Sequence, residues 1–208
     1  MLGYPKGHKG GIGMKSGYEE MMEYEDGIYP SPKKLNLGCG RDLRKGYINV
    51  DMNGKADVNW NLDKFPYPFK DNTFDEIIAL NIIEHLNNPN EAILEINRIA
   101  KNGCKLCING PYVSNPATWW DLTHKRPFNV NSFDGYKIDK KYGNSYDNYK
   151  ILNINKMILS TGRLWRYLGV EWLINKFPNI YEALFCFTIN VKNIYFEMEI
   201  VKNKEDLK

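Results

Sequence analysis

No run of apolar residues in this 208-residue chain approaches the roughly 18 needed to cross a bilayer, and the opening MLGYPKGHKG lacks a signal peptide's apolar core. The expected location is cytoplasmic, with no transmembrane segment. Long blocks of one charge are also missing. Net charge is only +3, with 28 Lys and Arg scattered among 25 Asp and Glu. Composition therefore requires no nucleic-acid partner, although a basic patch assembled in three dimensions stays compatible with it. Cysteine is scarce as well: there are four, and CxxC spacing occurs once, at Cys104 and Cys107. That pair falls in an expected strand, where residues three apart point to opposite faces, and no second pair lies nearby. No zinc site is expected and no metal is assigned; Cys39 and Cys186 read as small buried residues.

A hydrophobic fraction of 43% with 25% charged residues is ordinary for a soluble globular protein. The length suits one well-buried domain better than two large ones. Residues 1–30 read as an N-terminal arm and short helix. The first 16 or so are glycine-rich, a composition that suits a mobile arm with a solvated His8. Ser16 to Asp26 then suits a short helix capped by Ser16, with Met21, Met22 and Tyr24 as its apolar contribution. Residues 31–208 read as a single domain.

That domain is organised around KLNLGCGRDLRKGYINVD, Lys34 to Asp51. Leu35 and Leu37 alternate with polar residues as in a short strand, which runs into Gly38-Cys39-Gly40, where glycine permits a tight turn and close backbone approach to a ligand. A second strand, Tyr47 to Val50, ends on Asp51, whose carboxylate is placed to accept hydrogen bonds from ribose hydroxyls. A dinucleotide fold would need a third glycine and a full helix before the next strand. Only Arg41 to Gly46 intervene here, against a usual parallel crossover of about a dozen residues or more. A pyrophosphate seat does not fit.

LNLGCGRD, INVDMN, NLDKFPYPFKDNTFDEIIALNIIEHL and EINRIAKNGCKLCINGP, in that order, resemble the class I S-adenosylmethionine (SAM)-dependent methyltransferase family, in the subgroup with a shortened first crossover. The similarity runs from about Lys34 to Pro111 and more loosely beyond; Asp42 stands where many members carry a third glycine. The resemblance implies an α/β, Rossmann-like doubly wound sheet, mostly parallel, with helices on both faces and an antiparallel β-hairpin strand at its end. It also implies SAM as cofactor, S-adenosylhomocysteine as product, and cofactor contacts from Leu37, Gly38, Cys39, Gly40, Asp51, Met52, Leu62, Asp63, Asn81 and His85. Asp63 matches the acid that reads the adenine edge, and otherwise caps the loop before Phe65. Asn81 would meet the methionine part. His85, a turn further on, reads first as a hydrogen-bonded structural histidine and otherwise as a cofactor contact.

Between these motifs, Ala56 to Trp60 is an expected third strand, Phe74 to Leu80 a central strand covered on both faces, and Lys105 to Asn109 a fifth strand. Asn88-Pro89-Asn90-Glu91 opens a helix with apolar positions at Ala92, Ile93, Ile96, Ile99 and Ala100, which Gly103 is expected to stop. Residues 112–150, with Tyr112, Trp119, Trp120, Asp121, His124, Arg126 and Tyr136, leave a strand end beside the cofactor edge and read as the substrate-side loop region. From Ser160, the Leu164, Trp165, Leu168, Trp172, Leu173 pattern predicts an amphipathic helix packed on the sheet, although its tryptophans and arginines also suit a homodimer or membrane-surface role. Leu184–Ile189 and Ile194–Val201 read as two strands joined by a short hairpin across 190–193.

The expected function is methyl transfer from SAM, by in-line displacement, to a methyl acceptor of unknown identity, small or carbohydrate-like in view of the aromatic loop. His124 is the best available base, with Asp121 orienting its ring; otherwise His124 only hydrogen-bonds substrate or loop. Two rivals stand beside this: a non-catalytic SAM- or S-adenosylhomocysteine-binding module, and a nicotinamide-dependent oxidoreductase, which the missing third glycine and short crossover disfavour.

Overall fold

The computed structural model describes residues 33–52, 54–138 and 150–202. The N-terminal arm with His8, the short helix proposed from Ser16, and part of the 112–150 region lie outside the described residues. Seven strands form one sheet: β1 (Lys34–Leu37), β2 (Ile48–Asp51), β3 (Val58–Asn59), β4 (Phe74–Leu80), β5 (Ala100–Pro111), β6 (Leu152–Thr161) and β7 (Val191–Ile200). Their spatial order is β3-β2-β1-β4-β5-β7-β6. The first five pair in parallel, and β7 runs antiparallel between β5 and β6. This is the mostly parallel α/β sheet with a terminal antiparallel strand.

β4 earns its central place from FDEIIAL, in which Phe74, Ile77, Ile78 and Ala79 are all buried. Helix α1 (Pro89–Ile99) begins as its sequence dictates: the Asn88 side chain accepts from the Glu91 N–H at 3.4 Å and Pro89 occupies the first turn. Ala92, Ile93, Ile96 and Ile99, at helical spacing, are buried on one face. Between β1 and β2 there is no helix at all, only turns, so the shortened crossover is present.

Several expected boundaries move. Gly103 does not stop α1, which ends at Ile99; it lies inside β5 with φ +80, where Phe74 pairs with Ala100 and Glu76 already with Lys105, so the extra residues of β5 bulge out. The third strand shrinks to Val58–Asn59. The segment from Ser160 is not one helix. After the short α2 (Ala117–Trp120) in the loop that follows β5, β6 runs to Thr161, followed by α3 (Arg163–Tyr167), α4 (Val170–Lys176) and α5 (Pro178–Leu184), with α3 and α4 separated by Gly169 in the left-handed region. Nor does its apolar stripe pack on the sheet: Leu164, Leu168, Trp172 and Leu173 are exposed, and Ile174 is the buried residue of α4. Leu184–Ile189 is no strand either. β7 pairs instead with β6, Leu159 opposite Ile194, so the antiparallel pair is closed through three short helices and not across a tight turn. The misreading has a physical source, since aromatic and β-branched residues that suit a strand here close the end of a helix around the buried Tyr181.

Candidate active site

Because β1, β2, β4 and β5 run parallel, their carboxyl ends share one edge of the sheet, the edge at which open α/β folds bind ligands. Leu37, buried, leads into a turn in which Gly38 has φ +65 and Gly40 φ +51. Gly38 is sterically required, for a Cβ there would sit 2.3 Å from Ile82 Cγ1. A Cβ on Gly40 would meet nothing within 4 Å, so the outer side of the turn is open to close approach. Between them Cys39 is buried and donates its N–H to Val50 O at 3.0 Å, while burial pushes its thiol upward, away from a reactive thiolate. The Gly40 N–H donates to Asp51 Oδ2 at 2.8 Å. The acid at the end of β2 therefore holds the glycine turn in shape.

The other residues of that side are less uniformly placed. Met52 is exposed beside Asp51, whereas Leu62 is buried and its carbonyl accepts from the Tyr67 hydroxyl at 3.0 Å. Asp63 accepts from the Asn87 N–H at 2.7 Å and from Asn87 Nδ2 at 2.8 Å, which ties the loop after β3 to the loop after β4. Both its oxygens are thus engaged within the chain. Asn81 leaves β4 with φ +54, a conformation asparagine tolerates better than most residues, and its N–H donates to Asn109 O at 2.8 Å. That bond links the exits of β4 and β5.

Two of the chain's three histidines meet on this edge. His85 closes a short 3₁₀ turn (Ile83–His85) after β4, and His124 comes from the loop after β5; their rings contact edge to face, 4.8 Å between centroids. His85 Nδ1 lies 2.9 Å from Thr123 Oγ1. The Thr123 hydroxyl and N–H both donate to Asp121 Oδ1, at 2.6 and 2.8 Å, and these bonds hold the Asp121 carboxyl below the usual range. His124 Nδ1 lies 3.2 Å from Thr118 O, and its Nε2 lies 3.6 Å from Asp121 Oδ2. Asp121 and His124 are thus brought together with His85.

Sequence reasoning passed over Glu84. It is 1% exposed, and among the described residues neither carboxylate oxygen has a hydrogen-bond partner. Burial pushes its carboxyl up to about 7, with the nearby Asp121 charge adding to the effect. One acid inside the apolar run Ile82-Ile83-Glu84-His85-Leu86 was the available sign. Thr123, which links His85 to Asp121, carried no such sign. Of the expected aromatic wall, Trp119 and Trp120 are exposed, but Tyr112 is fully buried and donates to Glu182, so it does not face a substrate. Tyr136 donates to Asn90, and Arg126 reaches the Asn87 carbonyl. The four cysteines are buried and free of disulfides.

Residues 39–108 match the family model described as a methyltransferase domain. An uncharacterised protein of Methanocaldococcus jannaschii is 40% identical over 131 residues, a match that takes in 53% of this chain and 56% of that protein. The chain thus spans little more than half the length of the curated relative. Among solved structures, a SAM-dependent methyltransferase from Archaeoglobus fulgidus aligns with a TM-score of 0.52 at 17% identity, covering 87% of this chain and 90% of that one. A phosphoethanolamine N-methyltransferase of Haemonchus contortus, in complex with phosphomonomethylethanolamine and S-adenosylhomocysteine, aligns with a TM-score of 0.52 at 13% identity, over 89% of this chain and 53% of that one. At such identities the structural likeness speaks to the fold.

Proposed function

We propose that this chain, whose residues 39–108 match a methyltransferase-domain model and whose fold is shared with a SAM-dependent methyltransferase, is a class I SAM-dependent methyltransferase that moves a methyl group from SAM to a small, oxygen- or nitrogen-bearing acceptor held beside His85 and His124. The observation that carries this reading is the sharing of one sheet edge by the Gly38–Gly40 turn, locked by Asp51, and the Asp121–His124 group.

The residues present fit such a cofactor. The open face of Gly40 admits close approach, Asp51 offers an acceptor at the end of β2, and Asn81 stands at the end of β4. When bound, SAM supplies an electrophilic methyl carbon and a thioether leaving group, so the protein needs no covalent intermediate. What the chain contributes is position and protection from water; aligned reactants recover up to about 7 to 11 kcal/mol of barrier. The Thr118 carbonyl, 3.2 Å from His124 Nδ1, supports a ring orientation in which His124 Nε2 takes a proton from an acceptor hydroxyl in this reading. Residues 31–208 act as one domain in this reading, with 112–150 as its acceptor side.

A nicotinamide-dependent oxidoreductase fits less well, because no helix follows the glycine turn to hold a pyrophosphate. Titration calorimetry with SAM, S-adenosylhomocysteine and NAD tests the reading. The expected result is tight binding of the first two and far weaker binding of NAD; equal or tighter NAD binding overturns it.

A further inference from the structure

Glu84 has no part in the roles above, and its surroundings explain why it is there. Glu84, His85 and His124 each bring a ligand atom within 4.8 Å of the other two, at the ends of β4 and β5. A buried carboxylate without a partner is costly, so something should complete it. The neighbouring bonds fix both histidine tautomers. Thr118 O can only accept, so His124 Nδ1 must donate to it. The single Thr123 hydroxyl proton goes to the Asp121 carboxylate, so Thr123 Oγ1 must accept from His85 Nδ1–H. When the rings are neutral, each therefore carries its free lone pair on Nε2. An imidazole whose other nitrogen donates to a carbonyl, or to a carboxylate-backed group, is the usual state of a metal ligand. Moreover His124 Nε2 then faces Asp121 Oδ2 at 3.6 Å, two acceptors opposed without a cation.

We propose that Glu84, His85 and His124 together hold one divalent transition-metal ion, with Asp121, Thr123 and the Thr118 carbonyl orienting the two imidazoles. Three ligands of the type two His plus one carboxylate leave a coordination position open, and two nitrogens weigh against Mg2+ and Ca2+, which prefer all-oxygen sites. The open position would take an oxygen of the acceptor, which makes that acceptor a hydroxyl- or oxyanion-bearing compound. This second part rests on the methyl-transfer reading, with the ion's positive charge taking over activation of the acceptor hydroxyl from a free His124 Nε2; the metal site itself does not rest on that reading.

The test uses the full chain, freed of metal by chelator and titrated with Co2+, followed by its visible absorption, and with Zn2+ by competition. One equivalent of Co2+ is expected in the parent. Glu84→Gln and His85→Ala should each weaken it by about 100-fold or more, and Asp121→Asn, which only orients ligands, by about 10- to 100-fold. His8→Ala, the remaining histidine, should bind like the parent and so report stray binding. Circular dichroism and SAM titration separate loss of the site from loss of the fold, and His85→Ala decides the matter if Glu84→Gln does not fold. Absence of stoichiometric Co2+ in the parent, or parent-like affinity in both variants, overturns the proposal in favour of a protonated His124 paired with Asp121. If SAM binds and Co2+ does not, only the metal inference falls. If Co2+ binds at the cluster and SAM does not, the metal site stands and the methyl-transfer reading falls.

Discussion

The glycine turn and the histidine cluster lie on the same sheet edge, yet they treat polar groups in different ways. In the turn, Cys39 N–H meets Val50 O, Gly40 N–H meets Asp51, and the shape is complete without any ligand. In the cluster, a buried carboxylate stands without a partner among the described residues beside two imidazoles and a second acid. A satisfied turn is pre-organised, so little ordering cost remains when a ligand arrives. An unsatisfied buried carboxyl, pushed towards its neutral form by burial, is the opposite, with polar atoms that nothing among the described residues meets. In the proposed reading, one side of the edge holds and the other side acts.

The sharpest way to break the comparison is Gly38→Ala. The added Cβ would overlap Ile82 at 2.3 Å on a backbone of φ +65. Overpacking costs roughly 1 to 3 kcal/mol and the left-handed conformation about 1 to 2 more for a residue with a Cβ. Chemical denaturation should show a loss of that combined size, with SAM binding lost as well. A near-neutral change would mean that the turn is softer than its geometry implies.

His124→Ala attacks the other side. Turnover on the acceptor should fall by about 100-fold or more, while SAM affinity stays within about twofold because the change falls on the chemical step. Release of S-adenosylhomocysteine follows the first quantity and calorimetry the second. A parallel loss of both would abolish the distinction between the two sides.

Asp51→Ala is the converse. Calorimetry should register a loss of about 1.5 to 3 kcal/mol in SAM binding, the usual worth of a hydrogen bond to a charged group. Because Asp51 also anchors Gly40 N–H, part of the loss is indirect. Parent-like affinity in a folded Asp51→Ala protein would move ribose recognition elsewhere.

This division also tracks what the sequence could reveal. Gly38, Gly40, Asp51 and the Asn88-Pro89 helix start are legible because local backbone rules require those residue types at those spacings. Glu84 meeting His124 is not, because it depends on how the loop after β5 folds back on the exit of β4, where Lys125 N–H donates to Glu84 O at 2.8 Å. Periodicity carries no information about such contacts. The pairing of β6 with β7 was hidden for the same reason, since the partner strand lies beyond three short helices. Local apolar pattern around Leu184–Ile189 pointed to the wrong neighbour.

The smallest expected effect comes from the opposite end of the strands and serves as the control for the rest. Glu76, near the start of β4, accepts from the Tyr47 hydroxyl at 2.8 Å and pairs with Lys34 of β1 at 2.8 Å. Partial burial pushes its carboxyl up, but the bonds from Lys34 and Tyr47 outweigh this and leave it below the usual range. A carboxylate held low in the folded state binds fewer protons there than in the unfolded chain. Its stabilisation is therefore present above the unfolded pKa, near 4.5 for a glutamate, and fades as pH falls through the lower folded value. Glu76→Gln should thus cost about 1 kcal/mol or less at pH 7, as exposed pairs do, and the gap to the parent should close below about pH 4. Denaturation at both pH values measures it. Neither SAM affinity nor turnover should change, because Glu76 and Lys34 lie at the amino ends of strands whose carboxyl ends form the site. A change in either would show that the site responds to the whole sheet, and the contrast between a holding side and an acting side would then be too local an account of this edge.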